Sequence, residues 1–109
     1  LLEFLKESDI HLEVCPTSNV QTNVVDTIRD HPADKIYFHG VSMSINTDCR
    51  TISDVTLSSE FSLMAAIFNW KKEHFLRCSL EAIRHSFCED SLKEKLRQQL
   101  LSFYNKAAA

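Results

Sequence analysis

The sequence predicts an α/β fold of the parallel type, on three observations. Two stretches, residues 10–15 and the first part of 41–50, through Asn46, alternate apolar and polar residues, and a period of two marks a strand with two unlike faces. The span between them carries helical signals, as the crossover between parallel strands requires. Behind the second strand runs a tail whose apolar residues recur at helical spacing.

Residues 1–7, L-L-E-F-L-K-E, read as the end of a helix and not as a charged leader with an apolar core, so the start looks like a cut through a longer chain. Ser8 and Asp9 turn the chain into the first strand. There Ile10, Leu12 and Val14 share one face, and His11, Glu13 and Cys15 share the other. Pro16 disfavours helical geometry at Cys15 and ends the strand, while Thr17, Ser18 and Asn19 are turn and N-cap residues. Val20, Val24, Val25 and Ile28 give residues 19–31 a helix-like spacing of modest propensity, so a loop followed by a helix is expected. His31-Pro32 breaks that helix. Residues 33–39 form a short second one, closed by Gly40 in the left-handed position.

In the second strand Val41, Met43 and Ile45 alternate with Ser42, Ser44 and Asn46. If the extended geometry holds for two more residues, Asp48 falls on the polar side. Parallel sheets and barrels display catalytic groups at that end of their strands. The two polar faces suit either water, in a lone two-stranded sheet, or the upper lining of a barrel; parity does not choose between them. A polar loop over 51–56 then leads into helices. Leu57, Phe61, Leu63, Met64, Ile67 and Phe68 supply the first stripe, preceded by Ser and Thr capping residues. Phe75, Leu76, Leu80 and Ile83 supply the stripe of 70–85, and Leu92, Leu96, Leu100, Leu101 and Tyr104 that of 89–104. Lys93, Glu94, Lys95, Arg97, Gln98 and Gln99 are a solvated face, and 107–109 a frayed end without packing logic.

The bulk numbers bound the rest. A chain of 109 residues, 44% apolar and 25% charged, suits one domain of ordinary composition. A net charge of −3 offers no basic footprint for nucleic acid. Cys15, Cys49, Cys78 and Cys88 have neither a C-x-x-C pair nor framework spacing, and read as reduced thiols of an intracellular, cytoplasmic protein. The apolar runs fall short of the roughly 18 residues that a membrane span needs. One glycine and two prolines, with no linker, charge block or repeat, mark no internal boundary.

The run S-I-N-T-D (44–48), with H-L-E-V-C-P-T-S-N upstream and C-S-L-E-A-I-R-H-S-F downstream, resembles the last part of an adenosine deaminase, a zinc-dependent (β/α)8-barrel hydrolase. The three segments come in that family's order and cover nearly the whole chain. A complete barrel takes about 250 residues, so the resemblance implies only the last two strands of one, with a helical tail. Residues 1–56 are then the last two βα units and 57–109 the tail. The family's early H-x-H and its H-x-x-E pair are absent, and so is its later H-G segment, the His39-Gly40 pair here being read as a helix end.

Each candidate site residue has a functional and a plain reading. By resemblance Asp48 is the catalytic carboxylate that completes the zinc site and helps orient the attacking hydroxide; otherwise it starts a turn or caps the next segment of the chain. Cys49 stands where many relatives carry a second aspartate that contacts a purine ring nitrogen, and a thiol is a weak substitute. Arg50 either approaches substrate or makes a surface ion pair. His11 and Glu13, at i and i+2, are not a metal site and read as polar lining or hydrogen-bonded neighbours. His31, His39, His74 and His85 read as surface or capping residues, and Cys78 as core. The cysteine-based deaminase pattern, H-x-E with P-C-x-x-C, does not occur.

The resemblance thus implies the C-terminal part of a zinc-dependent purine nucleoside deaminase of nucleotide metabolism. Zinc belongs to the full-length parent and not to this segment alone, because such a site needs about three protein ligands and one is offered. The isolated segment is expected to be inactive. Its partners are a purine nucleoside substrate and the missing N-terminal barrel portion, with no nucleic acid and no membrane. The alternative, of another class, is a non-catalytic self-associating or interaction module, since two strands leave edges to be covered.

Overall fold

The computed structural model describes residues 1–53 and 55–108. Helix α1 (Leu2–Glu7) leads into strand β1 (Leu12–Val14); α2 (Pro16–Gln21), a 3-10 turn (Ile28–Asp30) and α3 (Ala33–His39) carry the chain to strand β2 (Met43–Ile45). One turn of helix, α4 (Arg50–Ser53), precedes α5 (Leu57–Phe68), α6 (Lys72–Arg84) and α7 (Asp90–Ala108).

The strands pair in parallel, with Leu12 opposite Met43, Glu13 opposite Ser44 and Val14 opposite Ile45. The Leu12 N–H donates to the Ser42 carbonyl at 3.0 Å, and the Asn46 N–H to the Val14 carbonyl at 2.7 Å. That alternation turns the backbone groups of Met43 and Ile45 to the other edge, where β2 has no strand partner among the described residues. The predicted α/β unit of parallel strands and helical crossover is therefore present, with strands shorter than the alternating pattern suggested.

Packing follows the predicted faces. Val14, Met43 and Ile45 point into a core shared with Ala33 and Tyr37 of α3, Met64 of α5, Cys78 of α6 and Trp70. Fully burying each aliphatic side chain contributes about 1.5–3 kcal/mol. The buried Trp70 keeps its polar edge satisfied by donating Nε1–H to Asp34 Oδ1 at 2.7 Å. Tyr37 packs against the rings of Trp70 (5.2 Å) and His74 (4.8 Å), and Arg77 lies over it at 4.3 Å. These ring contacts fasten α3 to α6.

Helix ends obey local chemistry. Gly40 closes α3 with φ 88°, and a Cβ there would meet Lys6 Cε at 3.2 Å. Thr56 and Ser59 form a reciprocal capping box at the start of α5, and Asn69 ends that helix with φ 57°. The expectation of a loop and then a helix over 19–31 is corrected. Helix begins at once with Pro16, whose fixed φ suits the first helical position, and stops at Gln21 before Asn23 (φ 63°). Only the 3-10 turn is helical beyond it, because the β-branched Val24 and Val25 do not sustain a helix there. The expected polar loop over 51–56 contains most of α4; Asp54 lies outside the described residues. The expected frayed end is helical through Ala108, in keeping with alanine's high propensity, and Ala109 lies outside the described residues. Among the described residues no helix is long and apolar enough to cross a membrane.

Candidate functional site

The polar face of the sheet has two ends of different character. At its start the His11 ring lies between Ser42 Oγ (2.8 Å from Nδ1) and Ser44 Oγ (3.0 Å from Nε2). The Ser42 hydroxyl donates to Glu81 Oε2 at 3.0 Å, so it accepts from Nδ1–H; Nε2 then accepts from the Ser44 hydroxyl, which in turn accepts from Asn46 Nδ2 at 2.9 Å. Burial, followed by the neighbouring His85 ring at 4.8 Å, lowers the His11 pKa and favours this neutral tautomer. Both ring nitrogens are engaged. His11 is thus hydrogen-bonded to its neighbours, one of the two readings expected of it. Beside it Arg84 holds Asp9 through two bonds of 2.7 and 2.6 Å, and these bring the Asp9 carboxyl down to about 2.

At the C-terminal ends of the strands the face opens into a cleft of about 670 Å³. Glu13, Cys15, Ser44, Asn46, Asp48 and Arg50 form its polar wall, and Leu57, Phe61, Cys78 and Ile83 its apolar one. Asp48 does not reach this cleft by strand parity. β2 ends at Ile45, and Asp48 adopts a left-handed conformation with φ 58°, so a turn and not a continued strand aims its side chain. The carboxylate is exposed. Its Oδ2 accepts the Ser18 hydroxyl at 2.9 Å, and Ser18, 7% exposed, is fixed in the first turns of α2. The two βα turns are thereby tied at the place where a carboxylate is presented.

The other predicted residues divide. Arg50 lines the cleft with Asp48, whereas Cys49 is solvent-exposed and is not part of the described lining. His31 is buried, so the surface half of its reading is corrected. It pairs through Nε2 with Asn19 Oδ1 at 2.8 Å and accepts the Ala33 N–H at Nδ1 (3.1 Å), which makes it a cap between α2 and α3. His74 caps α6 by accepting the Lys71 N–H at 3.0 Å, and His39 meets Glu3 at 2.7 Å. All four cysteines are free; burial pushes the Cys78 thiol up to about 12, as befits a core residue.

Sequence reasoning did not find Ser18 as a partner of Asp48, nor Glu60. Glu60 is completely buried in the first turn of α5; Oε2 accepts the Thr17 N–H at 3.4 Å, and Oε1 has no hydrogen-bond partner among the described residues. A signal was present: Glu60 stands four residues before the buried Met64, a charge on the apolar stripe.

Among the described residues no group of three His, Cys, Asp or Glu side chains is arranged to hold a metal. The donor set nevertheless fits a share in one. Asp48 offers a hard oxygen at the mouth of the cleft while Ser18 holds the other, as outer partners orient ligating carboxylates. Cys15 does not fit, since burial and then the carboxylates of Asp48, Glu13 and Glu60 raise its pKa and disfavour a thiolate.

Comparison with known proteins bears on the whole chain. The family model described as adenosine deaminase matches residues 1–103. An adenosine deaminase of Streptococcus agalactiae is 38% identical over 105 residues, 96% of this chain and 31% of that protein. One from Shewanella woodyi is 36% identical over 94 residues, 86% of this chain and 28% of that protein. The crystal structure of an adenine deaminase from Arthrobacter aurescens superposes on 95% of this chain and 32% of its own with a TM-score of 0.90 at 23% identity, a likeness of fold. The N6-methyl-AMP deaminase of Arabidopsis thaliana covers 94% of this chain and 29% of its own, with a TM-score of 0.78 at 28% identity. The chain therefore spans about 30% of the length of the relatives it matches. With the sequence matched over residues 1–103 and the backbone over 94–95% of the chain, the assignment is direct: this chain belongs to the adenosine deaminase family.

Proposed function

We propose that the chain is the C-terminal part of a zinc-dependent hydrolase that removes the amino group of a purine nucleoside or related purine, its two strands being the last two of a (β/α)8 barrel. The observation that carries this reading is Asp48, presented at the strand ends, exposed to the cleft and held through one oxygen by Ser18. Zinc, when bound, supplies an activated water for hydrolysis to the oxo-purine and ammonia. Asp48 provides one ligand, and the remaining ligands and the proton donor come from a part of the polypeptide outside this segment. Arg50, on the same wall, faces the substrate side, whereas Cys49 lies outside the described lining. The relatives' names give adenosine, adenine and N6-methyl-AMP, which supports a purine bearing an exocyclic amine and leaves its sugar and phosphate open.

The test is ammonia release from adenosine, adenine and AMP by the longer polypeptide, with its zinc content, beside the isolated 109-residue chain. Activity and about one zinc in the longer form, with neither in the segment, is the expected result. Zinc-dependent deamination by the segment alone overturns the division of labour.

A second reading rests on the unpaired edge of β2. Met43 and Ile45 are buried yet their backbone groups face an edge without a strand partner among the described residues, which favours a segment that self-associates when alone. A monomeric molar mass in solution, with slowly exchanging amides in both strands, rules this out.

A further inference from the structure

We propose that Glu60 is a positioning residue for Asp48: its buried carboxylate clamps the amino end of α2 so that Ser18 presents its hydroxyl to Asp48. The inference rests on the proposed role of Asp48 as a metal ligand and deepens it.

Three observations carry it. The amino end of α2 has no cap of its own, because Cys15 occupies the N-cap position and makes no side-chain capping bond. Glu60 supplies the missing acceptor across the fold, taking the Thr17 N–H from 43 residues away. The next residue, Ser18, is the one that donates to Asp48. The contacts therefore run from Glu60 through Thr17 and Ser18 to Asp48 without a gap.

The second observation is the cost of the arrangement. Glu60 is 0% exposed, yet its Oε2 has one long hydrogen bond and its Oε1 none among the described residues. A carboxylate desolvated to this degree destabilises the fold relative to leucine or methionine of similar size. Packing alone does not account for a carboxyl group there. The third is the strained turn. Asp48 sits at φ 58° outside any strand or helix, so its direction depends on side-chain contacts, and its described hydrogen bond is the one to Ser18.

The test uses the longer polypeptide with zinc loaded. Glu60→Gln keeps the volume and an acceptor for the Thr17 N–H, whereas Glu60→Leu keeps only the volume. Each is made with Ser18 and with Ser18→Ala, and the readouts are the rate of zinc loss to a chelator and the separate kcat and KM for adenosine. Glu60→Leu is expected to speed zinc loss and lower kcat by about 10–100-fold, the scale of outer partners of metal ligands, with KM little changed. Glu60→Gln is expected to restore most of both. Combined with Ser18→Ala, the leucine variant should lose no more than the worse single variant, since both act through one hydroxyl.

Equal damage by glutamine and leucine, or additive losses in the double variant, overturns the proposal. So does unchanged zinc retention in Glu60→Leu. If the leucine variant does not fold, Glu60→Asp, which withdraws the carboxylate by one methylene, enters the same cycle under the same criteria. A polypeptide whose zinc content and activity are indifferent to Asp48→Ala would sink the metal-ligand reading itself, an outcome distinct from failure at Glu60.

Discussion

The two ends of one polar sheet face differ in how completely their hydrogen bonds close. At the start, His11, Ser42 and Glu81 form a chain in which donors and acceptors match, continued through Ser44 to Asn46 on the cleft wall and extended by Arg84 and Asp9, while His85 Nε2 is left with a 3.5 Å approach to Asp9. At the C-terminal end Asp48 is exposed and strained, one oxygen of Glu60 is unpartnered among the described residues, and a cleft opens beside them. The closed end lowers the free energy of the fold; the open end holds groups that have few partners among the described residues. A parallel α/β unit separates stability from function in this way, along the direction of its strands.

The largest effect that tests this separation is expected at Asp48. In the longer polypeptide, Asp48→Gly should lower kcat by more than the roughly 10–100-fold typical of outer partners. In the metal-free protein the same change should leave stability within about 1 kcal/mol, because the relief of the φ of 58° by glycine offsets the loss of the Ser18 hydrogen bond. Activity assays and urea denaturation read the two halves. A loss of stability beyond about 3 kcal/mol in the metal-free form would show that Asp48 belongs to the closed framework after all.

His11 is the reverse case. Replacing it with leucine strips Ser44 of an acceptor and Ser42 of a donor at a part-buried place, so stability should fall by about 1–3 kcal/mol. Zinc affinity of the longer polypeptide should change much less than in Asp48→Gly. If zinc affinity fell as far, the two ends would not be separable.

Much of this was legible in the sequence, for identifiable reasons. Alternation at 10–15 and 41–46 gave the correct faces because the sheet buries one side and leaves the other polar, and Gly40 and Thr56 marked helix ends by local chemistry. The extent of α2 was not legible, because Pro16 serves equally to end a strand and to open a helix. The flanking run singles out Asp48 but does not show its geometry: a continued strand would put it on the polar side, and a left-handed turn brings it to the cleft there instead. Ser18 and Glu60 were missed since their partners lie 30 and 43 residues away, beyond what local periodicity encodes.

The pH response should also divide by region. His11 and His31 have pKa values lowered in the fold, chiefly by burial, from 6.5. Below that value the unfolded chain binds protons that the folded one resists, so their contribution is complete above about pH 6.5 and is lost as pH falls below it. Asp9, lowered from 3.8 to about 2 by Arg84, contributes above 3.8 and loses its effect as pH falls toward 2. Urea midpoints should therefore drop between pH 7 and 5, and His11→Leu should flatten that drop. An equal drop in the variant would place the titration elsewhere than at the closed end.

The smallest effect is the most local probe of the open end. Cys15 lies on the cleft wall, and its pKa is raised first by burial and then by the carboxylates of Asp48, Glu13 and Glu60. Its thiolate fraction at neutral pH is thereby reduced, so it should alkylate more slowly than the exposed Cys49 and Cys88, and faster than the buried Cys78. Asp48→Asn removes one of those charges without changing the burial, and should speed Cys15 alkylation by roughly two- to fivefold at low salt. Ser18→Ala, which leaves that charge in place, should not produce the same acceleration at fixed pH. Mass-spectrometric timing of the four thiols distinguishes the cases. A Cys15 rate that responds to Glu13→Gln but ignores Asp48→Asn would mean that the Asp48 carboxylate is turned away from the cleft, and the open end would lose the residue on which its chemistry depends.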